Sequence, residues 1–303
     1  MFTIPEPLVR KAIDVHGKAG RAWADRLPAT LAACGERWSL VIEPPFPNLS
    51  YNYASPATRA DGTAVVLKAC FPDQAFVRES EALLLFAGRG AVRLLEAEPT
   101  AGVMLLERLV PGVPLRAMED DVRATSIAAS VMRRLWRPVP SDHPFPTIAD
   151  WAAGIGRYQA RFADAPGPIP ATLANEAARL FAELLVSQAD PVLLHGDLHH
   201  DNILQADREP WLAIDPKGVV GEPAYDTGAL LRNPAELFTM PQPARILARR
   251  IAQLADELDL DRARIRGWAV AQAVLASLWS FEDHGRISPH WIAIAEWLSG
   301  TKV

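Results

Sequence analysis

Two short apolar runs in the second half of the chain each end in polar residues whose types and spacing suit one chemistry. The first is Leu193-Leu194-His195-Gly196-Asp197-Leu198-His199-His200-Asp201-Asn202-Ile203-Leu204. The second, Leu212-Ala213-Ile214-Asp215-Pro216-Lys217-Gly218, puts Asp215 thirteen residues after Asn202. Phosphoryl transfer needs such a set. One carboxylate (Asp197) accepts the proton of an acceptor hydroxyl, while an amide oxygen (Asn202) and a second carboxylate (Asp215) hold Mg²⁺ on the phosphates. Oxygen donors suit that hard cation. The spacing His-x-Asp-x4-Asn alone arises by chance on the order of once per hundred chains of this length. An upstream Val66-Leu67-Lys68 strand and the downstream Ile214-Asp215-Pro216 strand end make it far more specific. Asp197, Asp201 and Asp215 would also repel one another without a cation, which favours a metal site.

A rival reading is a zinc hydrolase using His195, His199 and His200. His195 and His199 are four apart, as on a metal-binding helix, but Gly196 stands where a metalloprotease helix supplies its glutamate base. The histidines read better as loop supports, His195 above all. Trp268, Trp279, Trp291 and Trp297 sit at core-like spacings and need no ligand.

The elements that must position these residues fall into two groups. Residues 8–33 look helical, with Pro28 as an interruption, and 39–42 read as a strand. Residues 51–54 and 64–71 flank Asp61-Gly62 as a hairpin with a long loop. Residues 74–88 form a helix stopped by Gly88 and Gly90, and 92–97 and 103–109 are further strands. Past Val110-Pro111-Gly112-Val113-Pro114 the pattern turns helical, at 119–136, 147–162, 173–188, 243–258, 262–281 and 289–298. One non-helical island, 191–223, carries the chemistry. The fold class expected is α+β and bilobal: a small antiparallel-sheet lobe over 1–109 with a leading helix, and a larger helical lobe over 110–303.

Composition narrows the partners. The chain has 303 residues, 31 basic and 36 acidic side chains and a net charge of −5, which lacks the basic footprint of a nucleic-acid binder. Half the residues are hydrophobic and 22% are charged, enough for a large core. Two cysteines, Cys34 and Cys70, cannot build a disulfide framework or a four-cysteine zinc site, so a reducing cytoplasm is expected. The first residues, with Pro5 and Pro7, lack the apolar run of a signal peptide. Residues 268–281, the most apolar stretch, fall short of the roughly 20 residues a bilayer needs. No membrane partner is expected, and a monomer and a dimer fit equally.

The residues quoted above resemble the aminoglycoside phosphotransferase family, which has a protein-kinase-like fold. Leu194-His195-Gly196-Asp197-Leu198-His199, Ile214-Asp215-Pro216-Lys217-Gly218 and Gly221-Glu222-Pro223-Ala224-Tyr225-Asp226 narrow it to the streptomycin 6-kinase and hydroxyurea-resistance kinase branch. Gly88-Arg89-Gly90-Ala91-Val92-Arg93-Leu94-Leu95 is also similar to that branch, and the resemblance spans about 45–285. It implies ATP and Mg²⁺ as cofactors, bound between the lobes, and a small cationic acceptor: streptomycin first, hydroxyurea second. Asp197 would be the catalytic base, and Asn202 and Asp215 the metal ligands. Lys68 would contact the α/β-phosphates and pair with a helix glutamate. Helical periodicity leaves Glu79 and Glu81 both open for that pairing, and the family pattern favours Glu79.

The adenine-binding hinge would use backbone groups near Glu107 to Leu109. No G-x-G-x-x-G precedes Lys68, where the loop reads Asn48-Leu49-Ser50-Tyr51-Asn52; this argues against a protein kinase more than against a kinase. A polycationic acceptor calls for carboxylates. The candidates are Glu222, Asp226, Glu282 and Asp283, although Asp226 also resembles the family's aspartate that steadies the catalytic loop. Alternatives are a metabolic kinase for another amino alcohol or sugar, and a nucleotide-binding protein without turnover. The presence of base, metal ligands and lysine together argues against the last.

Overall fold

Gly112 ends one structural unit and Val113 begins the next in a computed structural model that describes residues 3–47 and 49–302. The first unit opens with α1 (Glu6–Arg37), whose buried stripe is Leu8, Ala12, Trp23, Leu27, Leu31 and Cys34. The expected break at Pro28 is absent. The helix runs through Pro28 and kinks at Gly17, where φ is 58° and ψ −132°. That region is costly for a residue with a Cβ.

α1 covers a five-stranded antiparallel sheet of β1 (Leu40–Ile42), β2 (Tyr53–Arg59), β3 (Ala64–Ala69), β4 (Leu94–Glu98) and β5 (Val103–Glu107), ordered β1-β2-β3-β5-β4. β2 is longer than expected because Ser55 to Thr58 pair with β3 despite Pro56 and no apolar run. The Asp61-Gly62 turn closes this hairpin, with Thr63 N–H donating to Asp61 Oδ1 at 2.8 Å. Strand alternation sorts the side chains. Val65, Leu67 and Ala69 join Val103, Leu105 and the α1 stripe in one core. Lys68 therefore points to the opposite face. There α2 (Gln74–Phe86) begins at its Asp73 cap, which accepts from Ala75 and Phe76 N–H.

The second unit carries most of the helices. β6 (Pro111–Pro114) spans the border and orders with β8 (Ile203–Ala206) and β9 (Trp211–Ala213), while β7 (Val192–Leu194) pairs with β10 (Val219–Gly221). The helices are α3 (Asp121–Leu135), α4 (Ile148–Arg161), α5 (Ala171–Val186), α6 (Pro223–Leu231), α7 (Pro243–Leu258), α8 (Arg262–His284) and α9 (Pro289–Gly300). Side-chain caps fix three of their starts: Asp120 on α3, the Thr147/Asp150 capping box on α4 and Asp261 on α8. α8 is buried on every side from Gly267 to Leu278 and packs against α5, α6 and α9, which makes it the axis of this unit.

α6 is the element that the sequence pattern does not announce. Ala224 to Leu231 are all buried, so the segment has no polar face and no helical periodicity to read.

Candidate active site

The expected residues lie in two clusters, one in each unit. In the first unit Lys68 on β3 and Glu79 on α2 form a buried ion pair, 3% and 7% exposed. Both helical candidates were open on periodicity. The structure joins Glu79 to the lysine, while Glu81 sits half-buried one-half turn away. A buried lysine and glutamate hold each other ionised at a high desolvation cost. Glu107 ends β5 and is tied to residue 93 twice: its N–H donates to Arg93 O at 3.0 Å, and its carboxylate accepts Arg93 N–H at 3.1 Å. Leu109, two residues on, is buried. In the loop before β2, Asn48 lies outside the described residues, and the Tyr51 ring lies 5.6 Å from Lys11 Nζ.

In the second unit two ladders deliver the polar residues. β7 runs into His195-Gly196-Asp197, and β8 begins directly after Asn202. Ile203 pairs with Ala213, and Ile214 N–H donates to Asn202 O at 2.9 Å, so Asp215 lies across the ladder end from Asn202. Asp215 is held at φ 59°, a left-handed conformation unusual for a non-glycine residue.

The loop is braced from behind by Asp226 on α6. Its carboxylate accepts Trp136 Nε1–H (3.1 Å), His195 N–H (3.2 Å) and Gly196 N–H (2.8 Å). Burial pushes the Asp226 carboxyl up, against these donors. His195 is fully buried, which holds its ring neutral; it bridges the two strand ends, with Nε2 on Ile214 O at 2.8 Å and Nδ1 accepting Asp197 N–H at 3.2 Å. Gly196 adopts φ 81°, and a Cβ there would lie 2.9 Å from the Trp151 indole.

Asp197 projects from this brace. Its Oδ1 accepts from Arg232 Nη2 at 2.7 Å, and its Oδ2 lies 3.8 Å from His199 Nε2. Burial pushes the carboxyl up, but the Arg232 guanidinium above all holds it below the usual carboxylate range. Asn202 Nδ2 donates to Asp197 O at 2.9 Å, which aims the amide oxygen of Asn202 the other way. That oxygen beside Asp215 is a donor set for a hard cation, and the residues fit Mg²⁺. Among the described residues no group of three or more His, Cys, Asp or Glu is arranged for a metal, which leaves the zinc reading without a site.

Three expectations are corrected. Glu222 does not face an acceptor: it is 2% exposed, and its oxygens take Arg264 Nε (3.0 Å) and Nη2 (2.6 Å), Trp268 Nε1 and Ala189 N–H. Asp226 is likewise consumed, by the catalytic loop. Repulsion among carboxylates is offset within the chain, because Arg232 balances Asp197 and Arg116 lies 3.6 Å from Asp201. Glu282 and Asp283 are exposed at the end of α8. Trp268 is core, as expected, but Trp291 is only half-buried and its ring lies 6.0 Å from the Arg232 guanidinium. Arg232 itself was not singled out from sequence. The available signal was its place beside Asn233-Pro234, a helix-ending pair, directly after an apolar run.

Comparison with known proteins shows the family and the fold. The sequence profile of the aminoglycoside/hydroxyurea antibiotic resistance kinases matches residues 45–285. A streptomycin 6-kinase of Streptomyces glaucescens is 34% identical over 99% of this chain and 98% of its own length. A hydroxyurea phosphotransferase of Kitasatospora aureofaciens is 35% identical over 98% of this chain and 86% of its own. Among solved structures, a choline/ethanolamine kinase family protein from Mesorhizobium loti superposes with a TM-score of 0.65 at 15% identity, covering 92% and 95% of the two chains, and so supports the bilobal kinase-like fold. With its family profile matched over 45–285 and relatives matched almost end to end, the chain belongs to the aminoglycoside/hydroxyurea antibiotic resistance kinase family and is a phosphotransferase acting on a hydroxyl group.

Proposed function

We propose that this phosphotransferase moves the γ-phosphoryl group of ATP to a hydroxyl of a cationic, streptomycin-type aminoglycoside. The observation that carries the reading is the end-to-end similarity to streptomycin 6-kinases, on a chain that keeps Lys68, Glu79, Asp197, Asn202 and Asp215 in paired or braced positions.

In this reading the Lys68 ammonium, fixed by Glu79, contacts the α/β-phosphates, and the backbone of Glu107 to Leu109 takes the adenine edge. Asn202 and Asp215 would hold Mg²⁺, which would supply neutralisation of the phosphate charge. Asp197 accepts a hydrogen bond from the acceptor hydroxyl and orients its oxygen. That oxygen bonds to the γ-phosphorus, the bond from the γ-phosphorus to the β–γ bridging oxygen breaks, ADP leaves, and the hydroxyl proton passes to Asp197 Oδ2. Catalysis is positioning and charge neutralisation. Glu282 and Asp283 are the remaining carboxylate candidates for the acceptor's cations. Two buried free thiols, Cys34 and Cys70, and ATP as the donor support a cytoplasmic setting in this reading. Among the described residues no helix is long and apolar enough to cross a membrane.

A second reading, hydroxyurea as acceptor, draws on the similarly related hydroxyurea phosphotransferase. The test for both is incubation of the purified protein with ATP and Mg²⁺ and a panel of streptomycin, other aminoglycosides, hydroxyurea and amino alcohols. Mass spectrometry then looks for a gain of about 80 Da, the mass of a transferred phosphoryl group. Gain on streptomycin alone is expected; gain on hydroxyurea alone selects the second reading, and gain on none overturns both.

A further inference from the structure

Asp197 offers its two carboxylate oxygens unequally. Oδ1 is engaged by Arg232 Nη2 at 2.7 Å. Oδ2 faces His199 Nε2 at 3.8 Å, too far for a hydrogen bond. Because His199 Nδ1 accepts Asp201 N–H at 3.2 Å, the ring proton is assigned to Nε2, the edge turned toward Oδ2. One oxygen is tied and the other stands open beside a donor.

Arg232 is itself immobilised. Its side chain is 7% exposed, its Nη1 donates to Gln272 Oε1 on α8, and its guanidinium lies over the Trp291 ring of α9. Gln272 is anchored in turn on Tyr225 O. A buried guanidinium is costly unless a carboxylate balances it, and among the described residues Asp197 is the carboxylate within its reach. The loop backbone does not need this contact. Asp226 already holds His195 and Gly196 N–H, and Asn202 holds Asp197 O. Arg232 thus acts on the Asp197 side chain.

We infer that Arg232 is a positioning residue for phosphoryl transfer: it fixes the Asp197 carboxylate through Oδ1, so that Oδ2 alone is presented to the acceptor hydroxyl. The inference rests on the reading of Asp197 as the group that orients that hydroxyl. Its consequence concerns selectivity between acceptors. With the carboxylate free to turn, the acceptor oxygen loses alignment, and water competes better for the γ-phosphoryl group. Attack by water breaks the same β–γ bond and releases ADP and inorganic phosphate, so it is counted separately from transfer.

The test compares wild type, Arg232→Gln, Arg232→Lys and Asp197→Asn as full-length protein with ATP, Mg²⁺ and streptomycin. Product is read by mass spectrometry and inorganic phosphate by a coupled assay, and Mg-ADP titration checks each fold. Arg232→Gln is expected to lower kcat for transfer roughly 10- to 100-fold, with KM for ATP within about twofold, and to raise the share of ATP lost to water. Arg232→Lys should recover about tenfold of the loss by restoring a donor and a charge. Wild-type transfer by Arg232→Gln, with Asp197→Asn inactive, overturns the inference alone. So does a lysine variant no better than glutamine with the water share unchanged, the pattern of a merely structural contact. An active Asp197→Asn, or a wild type that transfers nothing to streptomycin, overturns the reading beneath it.

Discussion

Replacing His200 by leucine should make the protein more resistant to acid. His200 sits in the turn before Asn202, is 3% exposed, and neither ring nitrogen has a hydrogen-bond partner among the described residues. Burial, then the nearby Arg250 charge, push its pKa down from 6.5 to about 3, against the opposing pull of Asp121. The fold therefore binds the neutral ring and the unfolded chain binds the proton first. This contribution is fully present above pH 6.5 and is lost as pH falls toward 3. Each unit between those values costs about 1.4 kcal/mol. At pH 5.0, 1.5 units below the unfolded value, the loss is about 2 kcal/mol relative to pH 8.

The assay is urea unfolding followed by tryptophan fluorescence, at pH 8.0 and pH 5.0, for wild type and His200→Leu in the presence of a chelator. With a slope of about 2 kcal/mol per molar urea, the wild-type midpoint should fall about 1 M further than the variant's between the two pH values. His195, His199 and His290 are also pushed down by burial, but they stand in both proteins and cancel in the difference. Leucine leaves no orphaned nitrogens, so the variant should lose little at pH 8.0. Equal pH dependence in the two proteins would refute the reasoning, because it would mean that the folded state accommodates the charged ring.

Three further outcomes follow from the site. Lys68→Met should reduce kcat/KM for ATP by at least 100-fold, since it removes the cation expected on the phosphates and strands Glu79 in a buried position; isotopic or fluorescent nucleotide binding checks it. Glu222→Gln should cost stability, on the order of 3 kcal/mol by thermal or urea unfolding, because Arg264 loses its buried partner, while KM for the acceptor in the surviving folded protein stays unchanged. The paired change Glu282→Gln and Asp283→Asn should raise KM for a cationic acceptor several-fold and leave stability and KM for ATP alone; an unchanged acceptor KM sinks their assignment.

How much of this was legible follows from where each partner sits along the chain. Asp197, Asn202 and Asp215 could be read together because two adjacent strand ends carry all three, and short apolar runs bounded by Gly, Pro and Asp announce such ends. Lys68 was legible as a charge ending a β-branched run, and its partner was narrowed to two glutamates by helical period, which cannot say which face of α2 meets the sheet. The neutralising charges were not legible. Arg232 stands 35 residues beyond Asp197, at the end of a helix buried all round. Arg116 meets Asp201 from before α3, 85 residues earlier in the chain. A sequence shows carboxylates gathered in one loop, and the natural deduction is a cation that must come from outside. The fold shows that arginines from distant segments already balance two of them. Repulsion within that loop is therefore no reason to expect a metal; what favours Mg²⁺ is the donor types of Asn202 and Asp215, an amide oxygen and a carboxylate at facing ladder ends.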